Sequence, residues 1–123
     1  MVFNKAVSKK KTGNVMQINT LIGEGTKFEG NLHINGTLKI DGELIGDITS
    51  SGDVIIGETS YITGNIYCKN ILISGAVTGN IHAENQLSLS STATTKGELK
   101  AESLIIEEGA EFIGNCQTVG KHE

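Results

Sequence analysis

A glycine followed by a polar residue returns six times along this chain, five times with an apolar residue two places before it, and nothing else in the sequence limits the fold as tightly. Gly30, Gly46, Gly64, Gly79, Gly97 and Gly114 are each followed by Asn, Asp or Glu, and in five of six cases then by Ile or Leu. Their spacings are 16, 18, 15, 18 and 17 residues. Two residues before each Gly stand Phe28, Leu44, Ile62, Val77, Thr95 and Phe112. Upstream lies a pair with one residue between: Thr20/Ile22, Leu38/Ile40, Val54/Ile56, Ile71/Ile73, Leu87/Leu89 and Leu104/Ile106. A third pair follows the Gly, from Leu32/Ile34 through Ile66/Cys68 to Cys116/Thr118. A period of this length marks small units that bury a face only by stacking on their neighbours.

Within each unit apolar and polar residues alternate, which is the period of a strand, and no stretch keeps a helical stripe over three turns. Each unit is therefore expected to hold three strands of three to five residues, with Gly, Asn, Asp, Ser and Thr at the corners. The step from Ile22 to Phe28, Ile56 to Ile62, Leu89 to Thr95 and Ile106 to Phe112 is six residues, and from Ile40 to Leu44 and Ile73 to Val77 it is four. Both are even, so side-chain facing survives the insertion. The fourth residue of each longer step is small (Thr26, Ser60, Ala93, Ala110), which suits a crowded corner aimed at a narrow core. The sequence thus predicts an all-β, single-domain, three-sided parallel β-helix of about six turns, roughly 29 Å tall at 4.8 Å per turn. A β-sandwich would not repeat the same columns in the same order.

With 123 residues the chain has room for one domain. The expected organisation is a basic arm over residues 1–16, the β-helix over 17–118 and a tail over 119–123, both tails short and disordered. No apolar run reaches a membrane span or forms a secretory core. Charge is uneven. Lys5, Lys9, Lys10 and Lys11 are the only charged residues before Glu24, whereas the remaining six Lys face 14 acids, near −8 for the body (6 − 14). Absent Arg and an acidic body argue against nucleic acid as a partner.

Catalytic constellations are missing from the pattern. His33 and His82 each follow an inward residue and are expected on the outer surface, three turns apart. Cys68 and Cys116 fall on inward columns three turns apart and are expected as buried thiols, in keeping with a reducing cytoplasm. Asp41, Glu43 and Asp47 read as a solvated corner rather than a calcium site, and Gly23-Glu24-Gly25 lacks the helix and Lys of a phosphate loop. No enzyme activity, cofactor, metal or nucleotide is expected.

The phased Gly-Asn/Asp-Ile/Leu segments, about 17 residues per turn over six turns, resemble those of the bactofilins, a family of bacterial polymer-forming cytoskeletal proteins. The opening Met1-Val2-Phe3-Asn4-Lys5 is similar to the short membrane-targeting peptide of many members. The resemblance implies a right-handed helix and nucleotide-independent assembly by end-to-end contact, with Phe112 at the position of a terminal core aromatic important for polymerisation. It implies partners among cell-wall, cell-shape or polarity factors. The Pro-rich tails common in the family have no counterpart in this Pro-free chain.

A stacked coil ends in unpaired backbone above an apolar core unless something caps it. Only Val15, Met16 and Ile18 precede the first turn, and Gln117 to Gly120 follow the last, so no convincing cap is visible. The expected polymerisation surface is Leu21, Ile22, Phe28 and Leu32 at one end and Leu104, Ile106, Phe112 and Cys116 at the other. Burying about four such side chains is worth roughly 6–12 kcal/mol gross. Association costs about 4–15 kcal/mol, so pairing of the open backbone edge has to tip the balance. The expected membrane contact is Met1, Val2 and Phe3 with Lys5, Lys9, Lys10 and Lys11, each Lys contributing about 1 kcal/mol at an anionic leaflet. The chain is thereby expected in the cytoplasm, peripheral on the inner face of the membrane, as a homopolymeric scaffold.

Two other architectures share parts of this pattern. Ile22, Phe28, Ile34 and Ile40 recur every six residues, as in a left-handed β-helix acyltransferase, but the period slips elsewhere. A passive solenoid binding module, adhesin or ice-binding in type, would call for a Thr-x-Thr ladder that is missing.

Overall fold

The computed structural model describes residues 18–118, and every regular element among them is a β-strand. The first two turns contribute β1 (Thr20–Ile22), β2 (Lys27–Glu29), β3 (Leu32–Ile34), β4 (Leu38–Ile40), β5 (Glu43–Ile45) and β6 (Ile48–Ser50). The middle of the chain adds β7 (Asp53–Ile56), β8 (Tyr61–Thr63), β9 (Ile66–Ile73), β10 (Ala76–Thr78) and β11 (Ile81–Leu89). The last turns hold β12 (Thr94–Ala101), β13 (Ser103–Ile106) and β14 (Glu111–Thr118).

All pairings are parallel and form three ladders, one per side of a solenoid of about six turns. The first side runs β1, β4, β7 and the C-terminal parts of β9 and β11, then β13. The second runs β2, β5, β8, β10 and the N-terminal parts of β12 and β14. The third runs β3, β6, the N-terminal parts of β9 and β11, and the C-terminal parts of β12 and β14. The expected column of Ile22, Ile40, Ile56, Ile73, Leu89 and Ile106 is in register from the first turn to the last.

Strand length departs from the sequence expectation. β9, β11, β12 and β14 run eight or nine residues because the chain stays extended around a corner instead of breaking there. The corner from the third side to the first also absorbs an odd residue, since Ala83 pairs with Cys68 but Gln86, not Asn85, pairs with Asn70. That bulge restores the facing that one extra residue would otherwise reverse.

The corner from the second side to the third is the fixed one. Its glycines take positive φ, and a Cβ on Gly64 would be driven into the carbonyl oxygen of Gly46 one turn earlier. The polar residue after each Gly explains itself in the same place. Asn31 Oδ1 accepts from the Asp47 N–H at 3.1 Å, Asp47 Oδ1 from Asn65 at 3.0 Å, and Asn65 Oδ1 from Asn80 at 3.1 Å. Asn80 Oδ1 accepts from Glu98 at 3.3 Å. This side-chain ladder ties the first five of these corners together with bonds the main chain cannot make.

At the corner from the first side to the second, the longer steps close as β-turns. Ser60 donates its N–H to the Gly57 carbonyl at 3.1 Å and Ala93 to Ser90 at 3.0 Å. Both side chains are buried, as a crowded corner requires, and the Ser60 hydroxyl donates to the Ile40 carbonyl. Thr26, in the first turn, is exposed.

The interior is a single column of Ile, Leu and Val with small residues on the third side (Ser50, Cys68, Ala83, Ala101). Thr95 is the exception, because its hydroxyl is buried between Val77 and Phe112 with no hydrogen-bond partner. Thr95→Val keeps the shape and removes an unsatisfied hydroxyl, so it is expected to raise unfolding free energy by about 1 kcal/mol. Urea titration checks this; an unchanged or lower midpoint contradicts it.

Candidate functional site: the two ends of the solenoid

Among the described residues every interior turn is hydrogen-bonded above and below, and the end turns are paired on one side only. Among the described residues β1, β2 and β3 pair only with β4, β5 and β6, while β13 and β14 pair only with β11 and β12. Apolar columns that are closed inside therefore open at the tips. Ile40 has 0% of its surface exposed, and Ile106, at the end of the same column, has 49%. Leu104 and Phe112 beside it are half-buried. At the other tip Ile22 stays buried, with Phe28 and Leu32 half-buried.

Seven of the eight residues expected at the ends lie on the inner columns of the terminal turns, and Leu21 needs correction. Leu21 does not face the tip. Alternation along β1 turns it onto the outer surface, in register with Lys39, where it is 60% exposed. Cys116 ends an inward column above Leu99 yet is exposed, because no further turn among the described residues covers it. The expected buried thiol is thus found only at Cys68. Ile34 completes the first tip and escaped selection. Its signal was size: it is the one large residue in a column that continues as Ser50, Cys68, Ala83 and Ala101.

The remaining candidates are occupied otherwise. His33 and His82 lie on the outer surface of the third side, and the His82 ring sits against Tyr67 with centroids 6.0 Å apart. Asp41 accepts two hydrogen bonds from Lys39 Nζ, at 2.7 and 2.9 Å, and Asp47 belongs to the corner ladder. Among the described residues no helix is long and apolar enough to cross a membrane. Met1, Val2, Phe3, Lys5, Lys9, Lys10 and Lys11, like Val15 and Met16, lie outside the described residues.

Residues 20–117 match the family model for bactofilins, described as polymer-forming cytoskeletal proteins. The chain belongs to the bactofilin family. Curated relatives include bactofilins BacP and BacO of Myxococcus xanthus. BacP is 29% identical over 109 residues, covering 89% of this chain but 45% of BacP, so the chain spans about half of that relative. BacO is 30% identical over 100 residues, covering 81% of this chain and 79% of BacO. Similar solved structures include the cytoskeletal bactofilin BacA, determined by solid-state NMR, with a TM-score of 0.73 and 31% identity. That match covers 82% of this chain and 96% of BacA. The cryo-EM reconstruction of Thermus thermophilus bactofilin double helical filaments gives a TM-score of 0.68 at 28% identity over 83% of this chain and 99% of that one. The crystal structure of a phenylalanine-to-arginine mutant of the T. thermophilus protein gives 0.68 at 32% identity, over 72% and 98%.

The two thiols of this bactofilin report on core and tip separately. Burial first, then the nearby Asp53 and Glu84 carboxylates, push the Cys68 thiol from its ordinary 9.0 up to about 12. Cys68 is therefore expected to resist thiol reagents at pH 8 in the folded subunit, while Cys116, exposed at the tip, reacts faster until another subunit covers it. A raised folded-state value also fixes the sign of the pH dependence. The stability held by the neutral thiol is complete below about pH 9 and is lost as pH climbs toward 12. Cys68→Ala removes that alkaline slope; a slope unchanged in urea melts from pH 8 to 11 contradicts the assignment.

Proposed function

We propose that this bactofilin polymerises end to end through the apolar tips of its solenoid and that the filaments pair side by side. The observation that carries this reading is the pair of open tips, each with one-sided backbone pairing around exposed or half-buried apolar side chains. Ile22, Phe28 and Leu32, with Ile34, form one contact surface, and Leu104, Ile106, Phe112 and Cys116 form the other. Joining tips continues both the apolar columns and the hydrogen-bonded ladders, so the strong directional term acts only where the registers meet. Pairing of filaments is supported by the double helical filaments of the T. thermophilus relative. Assembly needs no nucleotide, because the contact uses side chains and backbone already in place.

Phe112 is the centre of the test. It ends the column that begins at Phe28 and lies directly above Thr95, so an arginine there places a charge where apolar surface has to be desolvated. Phe112→Arg is expected to abolish filaments in electron micrographs while leaving a β-rich circular dichroism spectrum. Filaments of ordinary length in the variant overturn the end-to-end reading.

The basic arm adds the second part of the proposal. Met1, Val2 and Phe3 insert among lipids while Lys5, Lys9, Lys10 and Lys11 meet anionic headgroups, which places the polymer on the inner face of the cytoplasmic membrane. One arm binds weakly, and a filament presents many, so attachment strengthens with assembly. There it scaffolds cell-wall, cell-shape or polarity factors. Deleting residues 1–4 is expected to reduce co-sedimentation with phosphatidylglycerol vesicles at least tenfold; undiminished pelleting removes the arm from the membrane contact.

A further inference from the structure

The three outer faces differ in charge. On the first side the central outward column reads Leu21, Lys39, Ile55, Leu72, Ser88 and Ile105 from the first turn to the last. Leu21, Leu72 and Ile105 are exposed and Ile55 is half-buried, so four of six outward positions on one flat face are aliphatic. The third side sets the exposed ring of Tyr67 among His33, His82 and Lys100, and the second side scatters Ile45, Tyr61 and Ile113 among Lys27, Glu29, Glu43, Lys96 and Glu111, so neither carries a central column that is mostly aliphatic. The polar groups on and beside the aliphatic column already have partners. Lys39 Nζ is held by Asp41 at 2.7 Å, Asn70 Nδ2 donates to Asp53 at 3.0 Å, and Gln86 Nε2 donates to Ser88 at 3.1 Å. Drying this face leaves few hydrogen bonds unmade.

We propose that this face is the lateral contact between two filaments, its occupant a second copy of the same face. The inference rests on the end-to-end reading and names the surface that pairing uses. A body of net charge near −8 repels its own copies, and self-contact puts like surfaces together, so it selects the face whose one Lys is neutralised within its own turn. Leu21 stands in the first turn and Ile105 in the last, so end-to-end joining runs the patches of successive subunits into one seam. The patch is small. Six rungs of 4.8 Å by about 10 Å give roughly 300 Å² per subunit, well below the roughly 800 Å² per partner of a stable complex. Isolated subunits therefore do not pair, and the seam holds only when a filament presents it many times over.

The test is electron microscopy of filament width for the full chain and two variants. Leu72→Glu adds two like charges at every lateral contact and is expected to give single filaments of ordinary length; Leu72→Gln, uncharged and of similar size, is expected to give a lower fraction of pairs. Added salt screens the acidic bodies and is expected to raise the paired fraction of the unaltered protein. Pairs that persist unchanged in Leu72→Glu overturn the proposal. If that variant instead loses binding to phosphatidylglycerol vesicles, the face belongs to lipid. Unaltered protein that forms only single filaments overturns it too, as does a folded Leu72→Glu chain that makes none. Failure of the end-to-end reading shows differently, as filaments that survive Phe112→Arg.

Discussion

Every turn of this molecule has to lie on the one before it at the spacing of a parallel ladder, and the corner after the second side is where that spacing is enforced. There the backbone of one turn approaches the next so closely that no side chain fits, which is why Gly46, Gly64, Gly79 and Gly97 recur. The following Asn or Asp accepts a hydrogen bond from the turn above. A corner without a side chain and a side-chain acceptor beside it together act as a clamp repeated along one edge. The other two corners vary in length because this one does not.

From that clamp the open ends follow. Registered columns give each interior side chain a near copy of itself above and below, so burial is complete wherever both neighbours exist. It fails wherever one is missing. The contrast between Ile40 and Ile106 shows that the end residues are ordinary core residues that lack a neighbour among the described residues. Cys116 makes the same point with a polar atom: Leu99, one turn below it in the column, is buried, and Cys116 is exposed. A fold that repeats its core without altering the last copy has built a surface suited to receive another copy of that core.

Much of this was legible in the residues because strand alternation leaves a period of two that survives even insertions. The column from Ile22 to Ile106 and the small corner residues Ser60 and Ala93 stand where that period put them. What escaped depends on neighbours in space. The role of Asn65 as acceptor for Asn80 needs two turns in contact before it has meaning. The extended passage of β9, β11, β12 and β14 around a corner cannot be told from a break by periodicity, since the corner residues are polar either way. Leu21 was misplaced because an apolar residue at the start of a repeat looks like core, whereas its neighbour Ile22 occupies the inward position. The unsatisfied hydroxyl of Thr95 was visible only as a Thr in an apolar column, and its lack of a partner is a property of Val77 and Phe112 around it.

Alternation also ties the axial and lateral surfaces together more closely than their separation in space suggests. Leu21 and Ile22 are adjacent in sequence, as are Ile105 and Ile106, yet the first of each pair looks sideways and the second lies on the column that reaches the tip. A one-residue slip on the first side would exchange the two sets, placing Lys39 and Ser88 in the core and the Ile column on the outside. The bulge between Ala83 and Gln86 and the even steps from the first side to the second prevent that exchange at the two corners that flank this side. The same constraint that keeps lysine out of the core therefore keeps the lateral face apolar without letting it merge with the axial one. Length and width of the polymer become separately adjustable by substitution, although one strand carries both.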